Sequence, residues 1–188
     1  QGIERFRISS IEPNLLSNEI IDFCLQEAQR FVPHFHIPLQ SGSDQILEKM
    51  RRKYLSGLYA ERVHQIKSIN PDTCIGVDVI VGFPGETEAD LEELIAFIEG
   101  AQLDAVGVFA YSDEDGTAAV DLPDHLPEHE VQARFEAVSK VALRVSESSA
   151  LRRIGQSVTV LIEEPGNLGR AEHQGPEVDG STTIVSEQ

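Results

Sequence analysis

One unit constrains the fold of this chain more than any other, the segment Cys74–Gly100 (CIGVDVIVGFPGETEADLEELIAFIEG). Its first eight residues are nearly continuously apolar, broken only by Gly76 and Asp78. Such a run, ended by a glycine turn, is expected of a strand covered on both faces. Thr87 then stands where a helix N-cap belongs. Leu91, Leu94, Ile95 and Ile98 share one helical face, and Gly100 is the expected C-cap.

The same alternation runs through the first 110 residues. Arg5–Ile11 (RFRISSI) reads as a strand closed by Pro13, and Ile20, Ile21, Phe23, Cys24 and Ala28 recur at helical spacing. His34–Leu39 (HFHIPL) reads as a second strand, interrupted at Pro38, which has no N–H to give. Helices are expected over Asp44–Arg52 and Leu58–Ile69, and a fourth strand over Asp104–Ala110. Strands at this spacing, each followed by a helix, imply an α/β fold with right-handed crossovers and a parallel sheet. Ligands of such sheets sit at the carboxyl ends of the strands. That rule selects Glu12, Gln40–Asp44, Gly82–Glu86 and Tyr111–Thr117.

The pattern changes beyond residue 112. Ser112–Pro127 is a polar loop, and Glu128–Ile154 is one long helical stretch with Val131, Phe135, Val138, Ala142 and Val145 on a common side, ended by Gly155. Ser157–Ile162, Gly169–His173 and Thr182–Val185 read as strands of a small antiparallel unit, with a turn at Pro165–Gly169. Three strands cannot close a barrel, so this second unit is expected to be incomplete or very small. The chain divides accordingly into residues 1–154 and 155–188.

With 40% hydrophobic and 25% charged residues the chain is globular rather than disordered. Its net charge of −17 is uneven. Residues 1–88 hold nine Lys/Arg against twelve Asp/Glu, and residues 89–188 hold six against twenty, a balance of −14. This is a solvated acidic surface or a face for a basic partner; it gives no support to nonspecific binding of phosphate backbone. Residues 1–20 mix charges among the apolar positions, which excludes a signal peptide or a membrane span there. Cys24 and Cys74 lie fifty positions apart in no CxxC-type pattern, so neither a disulfide nor a metal site is expected, and the chain reads as cytoplasmic. It opens without Met on a strand-like segment and stops just after an apolar stretch, as a piece of a longer protein would.

Each strand end has a ligand reading and a bland one. Gly82 and Gly85 in GFPGE free the backbone for close approach or for positive φ, and the following helix start favours an anion or polar edge; a plain tight turn has the same composition. In QSGSD, Gln40, Ser41 and Ser43 offer donors and acceptors to ribose or amino-acid groups, while Ser43 or Asp44 equally suits the cap of the next helix. Glu12 suits a ligand amine or faces water. His34 and His36 share one face of a strand, but two histidines without a third ligand make a poor metal site, so a structural role is expected. Arg51–Lys53 is a solvated helix end or a contact for an RNA phosphate or a cofactor carboxylate. The acidic loop Tyr111–Thr117 lacks EF-hand spacing.

In this order, RISSIEP, HFHIPLQSGSD, LEKMRRKY, GVDVIVGFPGETEAD and the Tyr111–Ser112 pair resemble the methylthiotransferase family of radical-SAM enzymes, over essentially the whole chain. The resemblance implies the later part of a partial (β/α) barrel followed by the start of a TRAM domain, a small β-barrel that holds the macromolecular substrate. It also implies S-adenosylmethionine (SAM) as cofactor and two [4Fe–4S] clusters whose ligands lie outside this chain, with no catalytic residue and no metal ligand within it. Glu12, Gln40, Ser41, Ser43, Gly82 and Glu86 are then the expected SAM-binding wall: the Gln40–Ser43 group near ribose or methionine, Gly82 and Glu86 near adenine, Glu12 on the same rim. Residues 1–80 resemble the MtaB type, which modifies threonylcarbamoyladenosine beside the tRNA anticodon. Residues 82–188, through GFPGETEADLEEL, DAVGVFAYSDEDGTAA and GRAEHQGPEVDG, resemble the RimO type, which methylthiolates an aspartate of a small-subunit ribosomal protein. Residues 155–188 carry one basic residue, Arg170, against Glu163, Glu164, Glu172, Glu177, Asp179 and Glu187, which suits a basic ribosomal protein better than tRNA. The RimO-like reaction is therefore the expectation. The tRNA reaction is the alternative, as is a catalytically inert chain that only binds SAM or a macromolecule.

Overall fold

The computed structural model describes residues 2–163, 166–175 and 180–185. Four strands, β1 (Phe6–Ile8), β2 (Phe31–His36), β3 (Cys74–Val81) and β4 (Ala105–Ala110), form a parallel sheet in sequential order. The chain climbs β1, returns through α1 (Asn18–Asp22) and a π-wound turn (Phe23–Glu27), and reaches β2. It then passes through α2 (Asp44–Lys49) and α3 (Ser56–Ile69) to β3, and through α4 (Glu88–Gly100) to β4. The helix α5 (Glu128–Arg152) packs on β4 and α4. The three short strands β5 (Val160–Ile162), β6 (Leu168–Ala171) and β7 (Thr182–Thr183) make a separate antiparallel sheet.

The core lies between the parallel sheet and its helices. Ile75, Val77, Val79 and Val81, alternate residues of β3, meet Leu91, Leu94 and Ile98 of α4, Ile66 of α3 and Val138 of α5. Burying each such side chain stabilises the fold by about 1.5–3 kcal/mol relative to exposure. Gly76 and Asp78 belong to the other face, where the Asp78 carboxylate lies 3.1 Å from Nε2 of His36. A Cβ on Gly107, the register partner of Asp78, would fall 2.5 Å from that carboxylate. The glycine makes the space that Asp78 fills.

Several boundaries differ from the sequence reading. β2 begins at Phe31, three residues before the expected start, and stops at His36 instead of Leu39. Its register places Phe31 beside Phe6 of β1, while Pro38 takes the chain off the ladder. The carbonyls freed there are not lost: the hydroxyl of Tyr59 donates to Ile37 O at 2.7 Å, and that of Tyr54 to Pro38 O at 3.0 Å. Burial pushes the Tyr54 phenol up to about 12, so it stays a donor at any ordinary pH. Gly100 is the last residue of α4 with Ala101 as C-cap, and the left-handed residue is Gln102 at φ 53. The strands of the small sheet are shorter than expected. Pro165 and the acidic Glu164, Glu177, Asp179 and Glu187 lie outside the described residues.

Candidate functional site

All four strand-end segments lie along one edge of the parallel sheet, and the sequence dictates how each is held. After β1, the carboxylate of Glu12 meets Nη1 of Arg52 at 3.2 Å, so the residue that follows α2 ties down the β1 end. Arg51 and Lys53 stay exposed.

After β2 the backbone of Gln40 turns to φ 70 and bridges to Val79, its N–H donating to Asp78 O and its carbonyl accepting from Ile80. Its half-buried side chain takes part in no hydrogen bond among the described residues. Ser41 and Ser43 are both 1% exposed. The Ser43 N–H donates to Oγ of Ser41 at 3.2 Å, and the Ser43 hydroxyl donates to the Asp90 carboxylate at 2.5 Å. Neither Ser43 nor Asp44 caps α2 through its side chain, which corrects the bland sequence reading: Asp44 instead accepts from the N–H and hydroxyl of Ser56. A Cβ on Gly42 would fall 2.6 Å from Cα of Leu94, so this glycine is what lets α4 pack directly against the loop.

After β3, Gly82 and Gly85 take φ of 78 and 75, conformations that L side chains resist. The Glu86 carboxylate folds back to accept the Gly82 N–H at 2.9 Å and meets Nη1 of Arg134 at 2.6 Å. Burial pushes the Glu86 carboxyl up, and Arg134 and the Gly82 N–H hold it part of the way back. Nζ of Lys49 donates to Gly85 O at 2.8 Å. Thr87 caps α4 as expected, in a reciprocal box with Asp90.

After β4, the ring of Tyr111 stands edge-on to Phe83 with centroids 5.3 Å apart, and its hydroxyl donates to Asp113 at 3.0 Å. Nδ1 of His125 lies 3.4 Å from the same carboxylate. Gly82, Tyr111, Asp113, His125 and Val131 line a cleft of about 310 Å³ beside this edge.

Of the six residues expected to form a cofactor wall, all six are therefore on one edge, but their polar atoms are not alike. The hydroxyl of Ser43 and the carboxylate of Glu86 are bonded inside the wall. Glu12 is tied to Arg52, and the side chain of Gln40 is uncommitted. Sequence reasoning missed Asp90, Lys49 and Arg134, which hold the two central loops; each reads as an exposed helical charge and lies 36 to 48 positions from its partner. The donors fit a polar organic ligand laid along the strand ends. They do not fit an iron–sulfur cluster: Cys24 and Cys74 are both buried, burial pushes the Cys24 thiol up, and no group of three or more His, Cys, Asp or Glu able to hold a metal exists among the described residues. Nor, among those residues, is any helix long and apolar enough to cross a membrane.

The sequence pattern of the radical SAM superfamily matches residues 1–98. Over 98% of its length the chain is 41% identical to the ribosomal protein uS12 methylthiotransferase RimO of Kineococcus radiotolerans, and 42% identical to that of Streptomyces avermitilis. It spans 39% and 38% of those two proteins. Among solved structures, coproporphyrinogen III oxidase (HemN) from Escherichia coli superposes with a TM-score of 0.60 at 18% identity, over 74% of this chain and 32% of that one. The archaeal Elp3 of Methanocaldococcus infernus gives 0.56 at 13% identity, over 80% and 41%. Pattern, relatives and sheet topology agree: the chain belongs to the radical SAM superfamily and, within it, to the methylthiotransferase family.

Proposed function

We propose that this chain is the cofactor-wall and substrate-facing part of an enzyme that places a methylthio group on an aspartate of ribosomal protein uS12. The observation that carries the reading is the similarity to uS12 methylthiotransferases across 98% of the chain, the stretch before residue 80 included. The acidic balance beyond residue 88 is in keeping with a basic protein substrate and opposes a polyanion. Residues 1–154 act as the later part of the barrel and residues 155–188 as the start of a TRAM domain, working in the cytoplasm where ribosomes are.

In the complete enzyme SAM supplies the radical chemistry and the methyl group. The residues of this chain bind and orient. Gln40 offers its amide to the ribose or methionine end, the backbone at Gly82 flanks the adenine, and Glu12 closes the rim. Ser41, Ser43 and Glu86 hold those loops in shape. With two buried cysteines and no cluster ligands among the described residues, the isolated 188-residue chain binds without turnover.

The test is a graft of residues 1–188 in place of the matching segment of the Streptomyces avermitilis enzyme, expressed in a bacterium lacking its own uS12 methylthiotransferase. Mass spectrometry of uS12 should show the increment of one methylthio group. A methylthio group on tRNA instead, with uS12 unmodified, would replace this reading with the tRNA one. A folded graft that modifies neither would leave the chain a binding element.

A further inference from the structure

We infer that Arg134, on α5, is a positioning residue for the adenine side of the cofactor site, acting through Glu86 on the Gly82–Glu86 turn. The inference rests on the proposal that this turn flanks SAM. Residues 1–98 match the superfamily pattern, yet the turn within them is not self-sufficient. Its two glycines hold left-handed conformations; Gly85 is held from outside by the Asp124 carbonyl and Lys49, and Gly82 by the turn's own Glu86, whose carboxylate accepts the Gly82 N–H. The Glu86 side chain is 1% exposed. A carboxylate that deep needs a cation to remain charged and remain an acceptor.

Arg134 is that cation, and it arrives from outside the matched region. Its Nη1 donates to the Glu86 carboxylate at 2.6 Å and to the Glu86 carbonyl at 3.0 Å, and it reaches the Thr87 carbonyl at 3.5 Å. One guanidinium nitrogen thus spans the end of the turn and the cap of α4. One helical turn earlier, Val131 presses on Gly82 so closely that a Cβ there would lie 2.7 Å from its Cγ1. The first two turns of α5 are therefore the back wall of the loop. Remove the guanidinium and Glu86 takes up a proton or swings out, and the Gly82 N–H loses its fixed direction.

The test uses the 188-residue chain and S-adenosylhomocysteine as probe, with affinity read by NMR titration and the Gly82 amide followed by hydrogen exchange. Arg134→Met should weaken the probe about tenfold and speed exchange at Gly82. Arg134→Lys, which keeps a charge beside Glu86, should recover part of both. Ser149→Ala is the control. Ser149 anchors the far end of α5 to Asp104, so its loss lowers stability without touching the turn, and probe affinity should stay within about twofold of wild type. Equal weakening by Arg134→Met and Ser149→Ala would reduce Arg134 to a stability residue, and undiminished binding by Arg134→Met would remove the positioning role outright. If the wild-type chain does not bind the probe at millimolar concentration, the cofactor-wall reading itself falls and this inference falls with it.

Discussion

The bond between Ser43 and Asp90 joins the loop after β2 to the first turn of α4, and its strength can be worked out from its surroundings. Asp90 accepts the Ser43 hydroxyl on one oxygen, and the Thr87 N–H (2.8 Å) and hydroxyl (2.6 Å) on the other. Asp90→Ala removes half of a capping box, costing about 1 kcal/mol. It also strands a hydroxyl in a residue 1% exposed, costing about 1–3 kcal/mol more. The sum is about 3 kcal/mol, or a fall in Tm of about 10 °C for a chain of this size. Ser43→Ala alone should cost about 1.5 kcal/mol, since Asp90 keeps its Thr87 partners. Once Asp90 is gone, however, removing the Ser43 hydroxyl relieves the stranded group and returns about 2 kcal/mol. Urea unfolding of wild type, both single variants and the double variant should therefore show the double variant more stable than Asp90→Ala, with a coupling energy of about 3.5 kcal/mol and unchanged m-values. Additive effects, with coupling below about 0.5 kcal/mol, would mean that the two loops are not bonded in solution and that Ser43 is free to face a ligand instead of the wall.

Three further outcomes are expected. Gly82→Ala combines a left-handed backbone with a Cβ 2.7 Å from Val131, so it should cost about 3 kcal/mol in urea unfolding; adding Val131→Ala should return the steric part and leave the dihedral part. Burial works to raise the carboxyl of Asp90, but the Ser43 and Thr87 hydroxyls, the Thr87 N–H and the charge of Lys49 outweigh it and hold it below the usual aspartate value. Its folded pKa is depressed, so its contribution is whole above about pH 4 and is lost as pH falls through the folded value; Asp90→Asn should flatten that acid limb of an unfolding-against-pH series. At the opposite edge of the sheet, Asp104→Ala should cost about 4 kcal/mol by thermal unfolding, because it leaves the ammonium of Lys67, 2.6 Å away and 8% exposed, with carbonyls alone.

What the sequence made legible is what local chemistry determines. β3 was readable to the residue because a strand covered on both faces needs an unbroken apolar run, and α4 announced its start through Thr87. Its end was not readable: Gly100 has open space where a Cβ would be, and the helix runs through it to a left-handed turn at Gln102. β2 was misplaced because its start is set by pairing with Phe6, a partner far away in sequence. The strand-end segments were legible as strand ends, and the structure lines them along one edge in sequence order. Their roles were hidden, because a serine aimed at a ligand and a serine aimed at a neighbouring helix have the same local sequence. Only Asp90, 47 positions on, tells them apart for Ser43.

The long helix α5 shows how such distant partners organise the molecule. It is anchored at both ends to opposite edges of the same sheet. Near its start, Val131 and Arg134 grip the turn at the carboxyl end of β3. Near its end, Ser149 and Arg153 reach Asp104 at the start of β4, where Lys67 and the Ile75 N–H also converge. Beyond it, the guanidinium of Arg153 and the amide of Gln156 bind Asp72, and Arg7 of β1 holds the carbonyls of Glu172 and Gln174 beside the small sheet. The end of α5 is thus tied to the turn before β3, and the small sheet is tied to β1 through the guanidinium of Arg7. On the proposed function, these contacts would help to set where a macromolecule seated on the small sheet meets the strand ends, which matters because a misplacement of about 1 Å can cost a hundredfold in rate.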